Sequence, residues 1–128
     1  AMSNSLDDVL HHIVLEVSSL RRASEFYDAL LSPLGWRRHF NEADAIGYGI
    51  SKPVLYITER AGTRAEGTLI SVSTPGIAAV KAAWEAGCAR GGSNIASPGD
   101  VVGHGSGTYS AFLRDPDGHE VEITVASD

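Results

Sequence analysis

Ile13-Val14-Leu15-Glu16-Val17-Ser18-Ser19-Leu20 opens a pattern that the chain uses twice. The first five residues are β-branched or apolar at most positions and predict a strand. Ser18 and Ser19 offer hydroxyls that can cap a following helix. Leu20, Ala23, Tyr27, Leu30 and Leu34 then recur at three- and four-residue spacing, with Arg21, Arg22, Glu25 and Asp28 on other faces. That spacing predicts an amphipathic helix, ended by Pro33 and Gly35. Three short extended stretches follow: Trp36 to Phe40, Ala45 to Ile50 and Val54 to Thr58. Asn41-Glu42-Ala43-Asp44 and Ser51-Lys52-Pro53 supply the turns between them.

The order then starts again. Thr68 to Ser73 predicts a strand, and Thr74-Pro75 a helix start, with a capping hydroxyl ahead of a proline in the first turn. Ile77, Val80, Trp84 and Cys88 form an apolar stripe that Gly91-Gly92 ends. Extended stretches follow at Ser93 to Ala96, Thr108 to Arg114 and Glu120 to Val125, the last two joined by the turn Asp115-Pro116-Asp117-Gly118. Both halves read β-α-β-β-β, and a repeat of element order is a stronger signal than any single strand. The expected fold is α+β: two βαβββ modules forming a curved mixed sheet around a cleft. Module 1 spans residues 11–59, a polar connector 60–66, and module 2 residues 67–125, within a single domain over 10–126. Residues 1–9 read as a leader, with Ala1 ahead of Met2 as a remnant of tag removal.

Strand parity assigns faces. Ile13, Leu15 and Val17 share one side, as do Ile70 and Val72, and these are expected to pack under the helices. His12, Val14 and Glu16 lie on the other side, with Leu69, Ser71 and Ser73 in the second half. Polar residues opposite the helix-covered face imply solvent or a cavity.

Composition narrows the function classes. With 128 residues, 43% hydrophobic and 20% charged, the chain is an ordinary globular protein long enough to bury a core without disulfides. Its one cysteine, Cys88, fits a reducing, cytoplasmic setting. No apolar run reaches the ~20 residues of a membrane span. The net charge of −6 argues against nucleic acid, which is bound largely through basic faces.

His11-His12-Ile13-Val14-Leu15-Glu16-Val17, Phe26-Tyr27 in the first helix, and Asp115-Pro116-Asp117-Gly118-His119-Glu120-Val121-Glu122 together resemble the vicinal-oxygen-chelate superfamily. Glyoxalase I, extradiol dioxygenases, and bleomycin- and fosfomycin-resistance proteins are members. The resemblance runs from about His11 to Val125 and implies the paired βαβββ fold. It also implies a divalent metal (Zn, Ni, Mn or Fe) in the cleft, a small-molecule substrate and a homodimer. Carried over by position, His12 matches the first metal ligand and Glu122 the last, with Glu122 also a general base. The second histidine falls on Leu69, and the fourth-strand glutamate of glyoxalase-type members falls on Tyr56. Leucine cannot coordinate a metal, and neutral tyrosine is a poor ligand.

Two readings follow. One is a metal-dependent lyase, isomerase or dioxygenase whose His12 and Glu122 hold the ion with help from water, substrate or His104 in the loop Gly103-His104-Gly105-Ser106-Gly107. The other is a metal-free small-molecule binder of the antibiotic-sequestering kind, with Tyr56, Leu69, His104 and Tyr109 against the ligand. Glyoxalase I itself is disfavoured, since two of its four ligand positions are changed. His11, His39 and His119 read as solvated, Trp84 as core, and Cys88 as an inert thiol.

Overall fold

The computed structural model describes residues 11–101 and 108–125. Its strands are β1 Ile13–Val17, β2 Arg37–Asn41, β3 Ala45–Gly49 and β4 Leu55–Glu59, then β5 Leu69–Thr74, β6 Ser93–Val101, β7 Thr108–Arg114 and β8 Glu120–Val125. The helices are α1 Leu20–Leu31, after β1, and α2 Ile77–Ala89, after β5. Each half folds into its own four-stranded mixed sheet, in the orders β1-β4-β3-β2 and β5-β8-β7-β6. The expected α+β architecture of two βαβββ units is therefore present.

The first half follows its sequence closely. Ser19 caps α1 by accepting from the Arg22 amide, and a 3-10 turn over Ser32–Leu34 ends at Gly35, whose φ of 85° is a left-handed value that suits glycine. Leu20, Ala23, Tyr27, Leu30 and Leu34 are all buried, joined by Phe26 and Leu31. The second half departs in three places. Thr74 remains in β5, so Gly76 rather than a hydroxyl precedes α2. The buried face of α2 is Val80, Ala83 and Gly87, while Ile77 is exposed and Trp84 and Cys88 are half-buried. Small residues carry that face because α2 lies close against α1: a Cβ on Gly87 would stand 2.9 Å from Leu113 Cδ1 and 3.0 Å from Leu30 Cδ1. β6 runs past Ala96 through Pro98 to Val101, with two register shifts, as an edge strand can.

One cluster of buried residues draws on both halves, from Leu15 and Ile57 to Val121 and Ile123. The turn between β7 and β8 reaches across to the first half. Asp115 is buried, its Oδ2 accepting from the Tyr27 hydroxyl at 2.7 Å and its Oδ1 from the amides of Asp117 and His119, both at 2.9 Å. Asp117 accepts from the Ser18 amide and hydroxyl. His119 was expected to be solvated, yet it is only 4% exposed, with Nε2 donating to the Glu16 carbonyl at 2.8 Å. That carbonyl can only accept, so the proton sits on Nε2, and His119 Nδ1 is buried without a partner among the described residues. The Asp-Pro-Asp-Gly-His stretch thus latches the second module to β1 and α1.

Candidate cleft and seam site

Register between neighbouring strands fixes which side chains share the face away from the helices. In the first sheet Val14 pairs with Tyr56, Tyr56 with Gly47, and Gly47 with Phe40. In the second, Ser71 pairs with Glu122, Glu122 with Phe112, and Phe112 with Ala96. Val14 and Ser71 occupy equivalent places in the two parallel pairs, so His12 is equivalent to Leu69, and Tyr56 to Glu122. The repeat alignment read from the sequence holds for Val14 with Ser71 and Tyr56 with Glu122 in the ladders. His12, just ahead of β1, takes the place that Leu69 takes at the start of β5.

The two faces differ in chemistry. On the first sheet the Tyr56 ring lies between two aromatic neighbours, 5.1 Å from the His12 ring and 5.6 Å from Phe40, both edge-on. Gly47 makes room for it, since a Cβ there would come within 2.9 Å of Tyr56 Cε2. On the second sheet Glu122 is half-buried among Ser71 and Phe112. Leu69 is 53% exposed and Val14 54%, so the face carries open apolar surface beside its polar groups.

Not every residue expected in the cleft is there. Tyr109 belongs to the odd-numbered set of β7 with the buried Ala111 and Leu113, and it packs against the core on the helix-covered face. His104 lies outside the described residues. His12 is exposed, with its Nδ1 2.7 Å from Nδ1 of His11 and its ring against Tyr56. Among the described residues, no three His, Cys, Asp or Glu side chains gather closely enough to hold a metal ion. The donors among these described residues therefore do not by themselves make a three-ligand divalent site. Cys88 has its thiol pushed up by burial, which suits an inert side chain.

A cavity of about 290 Å³ opens where the two sheets meet, lined by His11 to Ile13 on one side and Ile70 to Val72 on the other. The far end of β1 meets the turn before β8 through His119, and the Glu120 amide bonds to the Thr68 carbonyl at the start of β5. β1 and β5 therefore run side by side in opposite directions at the seam, while belonging to separate hydrogen-bonded sheets. Sequence reasoning did not foresee this cavity, although it named His12 as a site residue. Nothing in the periodicity of either half tells how the two edges abut.

The Glyoxalase/Bleomycin resistance protein/Dioxygenase superfamily model matches residues 9–123. The chain belongs to that superfamily. A glyoxalase/bleomycin resistance protein from Albidiferax ferrireducens is similar at 26% identity and a TM-score of 0.80, covering 93% of this chain and 99% of that one. A glyoxalase-related enzyme from Fulvimarina pelagi shares the fold at 21% identity and a TM-score of 0.70, covering 90% and 86% of the two chains. So does a fosfomycin resistance protein from Mesorhizobium loti, at 15% identity and a TM-score of 0.68, covering 98% and 95%. No curated relative matches the chain. Superfamily members often use divalent metals and bind small molecules, which sets the question for this cleft. Among the described residues, no helix is long and apolar enough to cross a membrane.

Proposed function

We propose that this superfamily member binds a small organic molecule at its cleft without a metal held by the protein. The observation that carries the reading is the asymmetry of the repeat: Leu69 is equivalent to His12, and Tyr56 to Glu122. Two positions that the family resemblance assigns to metal ligands are thus apolar or aromatic wall, and Tyr56 is already engaged between His12 and Phe40. Such a face suits recognition through rings and a few hydrogen bonds. A homodimer in a reducing cytoplasm belongs to the same reading, supported by the exposed Val14 and Leu69 and by the single half-buried thiol.

A second reading has its own observation. His12 and Glu122 keep the first and last ligand positions, so a metal-dependent lyase, isomerase or dioxygenase would use them, with Glu122 also moving a proton. A metal there would supply polarisation of paired substrate oxygens. Protein purified without chelator and titrated calorimetrically with Ni²⁺, Zn²⁺, Mn²⁺ and Fe²⁺ separates the two. The binding reading expects no stoichiometric, tight site for any of them. One equivalent bound tightly, and lost in His12→Ala, would overturn it in favour of the enzyme.

A further inference from the structure

The seam cavity has a chemistry of its own. Ile13, Trp36, Leu55, Ile70 and Val72 make its apolar wall. Ile13 is 42% exposed, whereas Leu15 and Val17 on the same face of β1 are at most 5% exposed. It is uncovered on the side that the helix covers farther along the strand. The polar groups beside it are His11, His12 and the exposed Ser71, the last two on the side of the strands away from the helices. The two imidazoles face each other Nδ1 to Nδ1 at 2.7 Å, so one donates and the other accepts, and their Nε2 atoms remain for other partners. Even with both rings neutral, the imidazole that accepts at Nδ1 carries its proton on Nε2 and donates there. None of the described lining residues is acidic.

We propose that the seam cavity between β1 and β5 binds a compact aryl carboxylate, its ring against Trp36 and its carboxylate accepting from the His11–His12 pair and Ser71. The inference rests on the small-molecule reading above and moves the ligand from the open cleft face into the seam. Size supports it: about 290 Å³ lies at the lower end of ligand pockets, which span roughly 300–1,000 Å³. One ring with a short acidic arm fits, and a polycyclic antibiotic does not.

Phenylacetate is the probe, with phenethylamine as its counterpart of opposite charge, both titrated calorimetrically in excess EDTA so that no metal contributes. Phenylacetate should bind saturably and at least about tenfold more tightly than the amine, the scale of one charged hydrogen bond. It should also change the emission of the wild type and of Trp84→Phe, but not of Trp36→Phe, because Trp84 lies elsewhere, with its indole on Asn94. Ile13→Phe fills the cavity from a position exposed enough to tolerate it, and should weaken binding about tenfold or more while circular dichroism stays unchanged. Phe40→Ala, on the cleft face, should leave binding as it was. Absence of saturable phenylacetate binding, or equal binding of the amine, overturns the inference. Binding that survives Ile13→Phe but falls in Phe40→Ala also overturns it, by locating the ligand on the cleft face, and leaves the small-molecule reading standing.

Discussion

Asp115 shows how far one side chain in this chain departs from its ordinary behaviour. Burial raises its carboxyl above the usual range, against the opposing pull of the Tyr27 hydroxyl, His119 and the two backbone amides. A carboxyl raised in the folded state holds more protons there than in the unfolded chain between the two pKa values. Its contribution to stability is therefore greatest at low pH and is lost as pH rises through the raised value. Asp115→Asn keeps an acceptor for both amides and removes the titration. Urea unfolding of both proteins from about pH 3 to about pH 7, bracketing the ordinary carboxylate range, should show wild type losing ground to Asp115→Asn as pH rises. Movement in the other direction would mean that hydrogen bonds outweigh desolvation at this site. Gly47 makes a second test. An added Cβ would press on Tyr56, on Pro53 Cβ at 3.0 Å and on Phe40 Cβ at 3.1 Å, two of which are stem atoms that cannot swing away. Gly47→Ala should cost about 1–3 kcal/mol in chemical denaturation and abolish the ring contact between His12 and Tyr56 seen by NMR. His12 and Glu122 were legible as facing away from the helices from strand parity, which needs only a period of two, and Tyr56 from its alignment with Glu122 across the repeat. The same count sets Tyr109 with the buried Ala111 and Leu113, away from the cleft face.

At the level of elements, the sequence spoke clearly where a stripe was large and apolar, and poorly where it was small. α1 carries Leu, Phe and Tyr at core positions and was read correctly. On α2 the expected stripe of Ile77, Val80, Trp84 and Cys88 holds at the buried Val80 and in part at Trp84 and Cys88, which pack against the core. It leaves out the small buried residues Ala83 and Gly87 and includes the exposed Ile77. Helix-to-helix closeness selects small residues, and hydrophobic periodicity undercounts them. Gly87 tests this. Gly87→Ala gains about 1 kcal/mol of helix propensity against a contact with the mobile ends of Leu30, Leu113 and Phe26, and should be nearly neutral. Gly87→Leu cannot be absorbed in that way and should cost about 2 kcal/mol or more in thermal or urea unfolding. If Gly87→Leu were tolerated, the two helices would not be in close contact. The Asp-Pro-Asp-Gly turn was legible as a turn and as part of the family motif, but not as a latch between the halves. Turn chemistry reports local backbone shape and does not say which distant amide an aspartate will meet.

Across the whole molecule, two modules, whose repeat was visible in element order, share one core and one latch. Asp117 holds Ser18 ahead of α1, while Glu59 accepts from the Leu20 amide at the same helix start. Asp117→Ala should lower stability by about 1–3 kcal/mol, speed hydrogen exchange at the Ser18 amide, and retain a single unfolding transition, because the buried cluster spans both halves. Two separate transitions would contradict a shared core. The asymmetry of its use was legible as well, since Leu69 and Tyr56 stand at positions equivalent to His12 and Glu122; how the two edges abut at the seam was not. The account turns on Leu69, the position equivalent to His12. The most direct measurement is a calorimetric titration of Ni²⁺ into wild type and Leu69→His side by side. The account predicts no tight site in wild type and one stoichiometric site, at least about tenfold tighter, in Leu69→His, as a third imidazole or carboxylate ligand supplies. Tight stoichiometric binding by wild type, unchanged in Leu69→His, would contradict it.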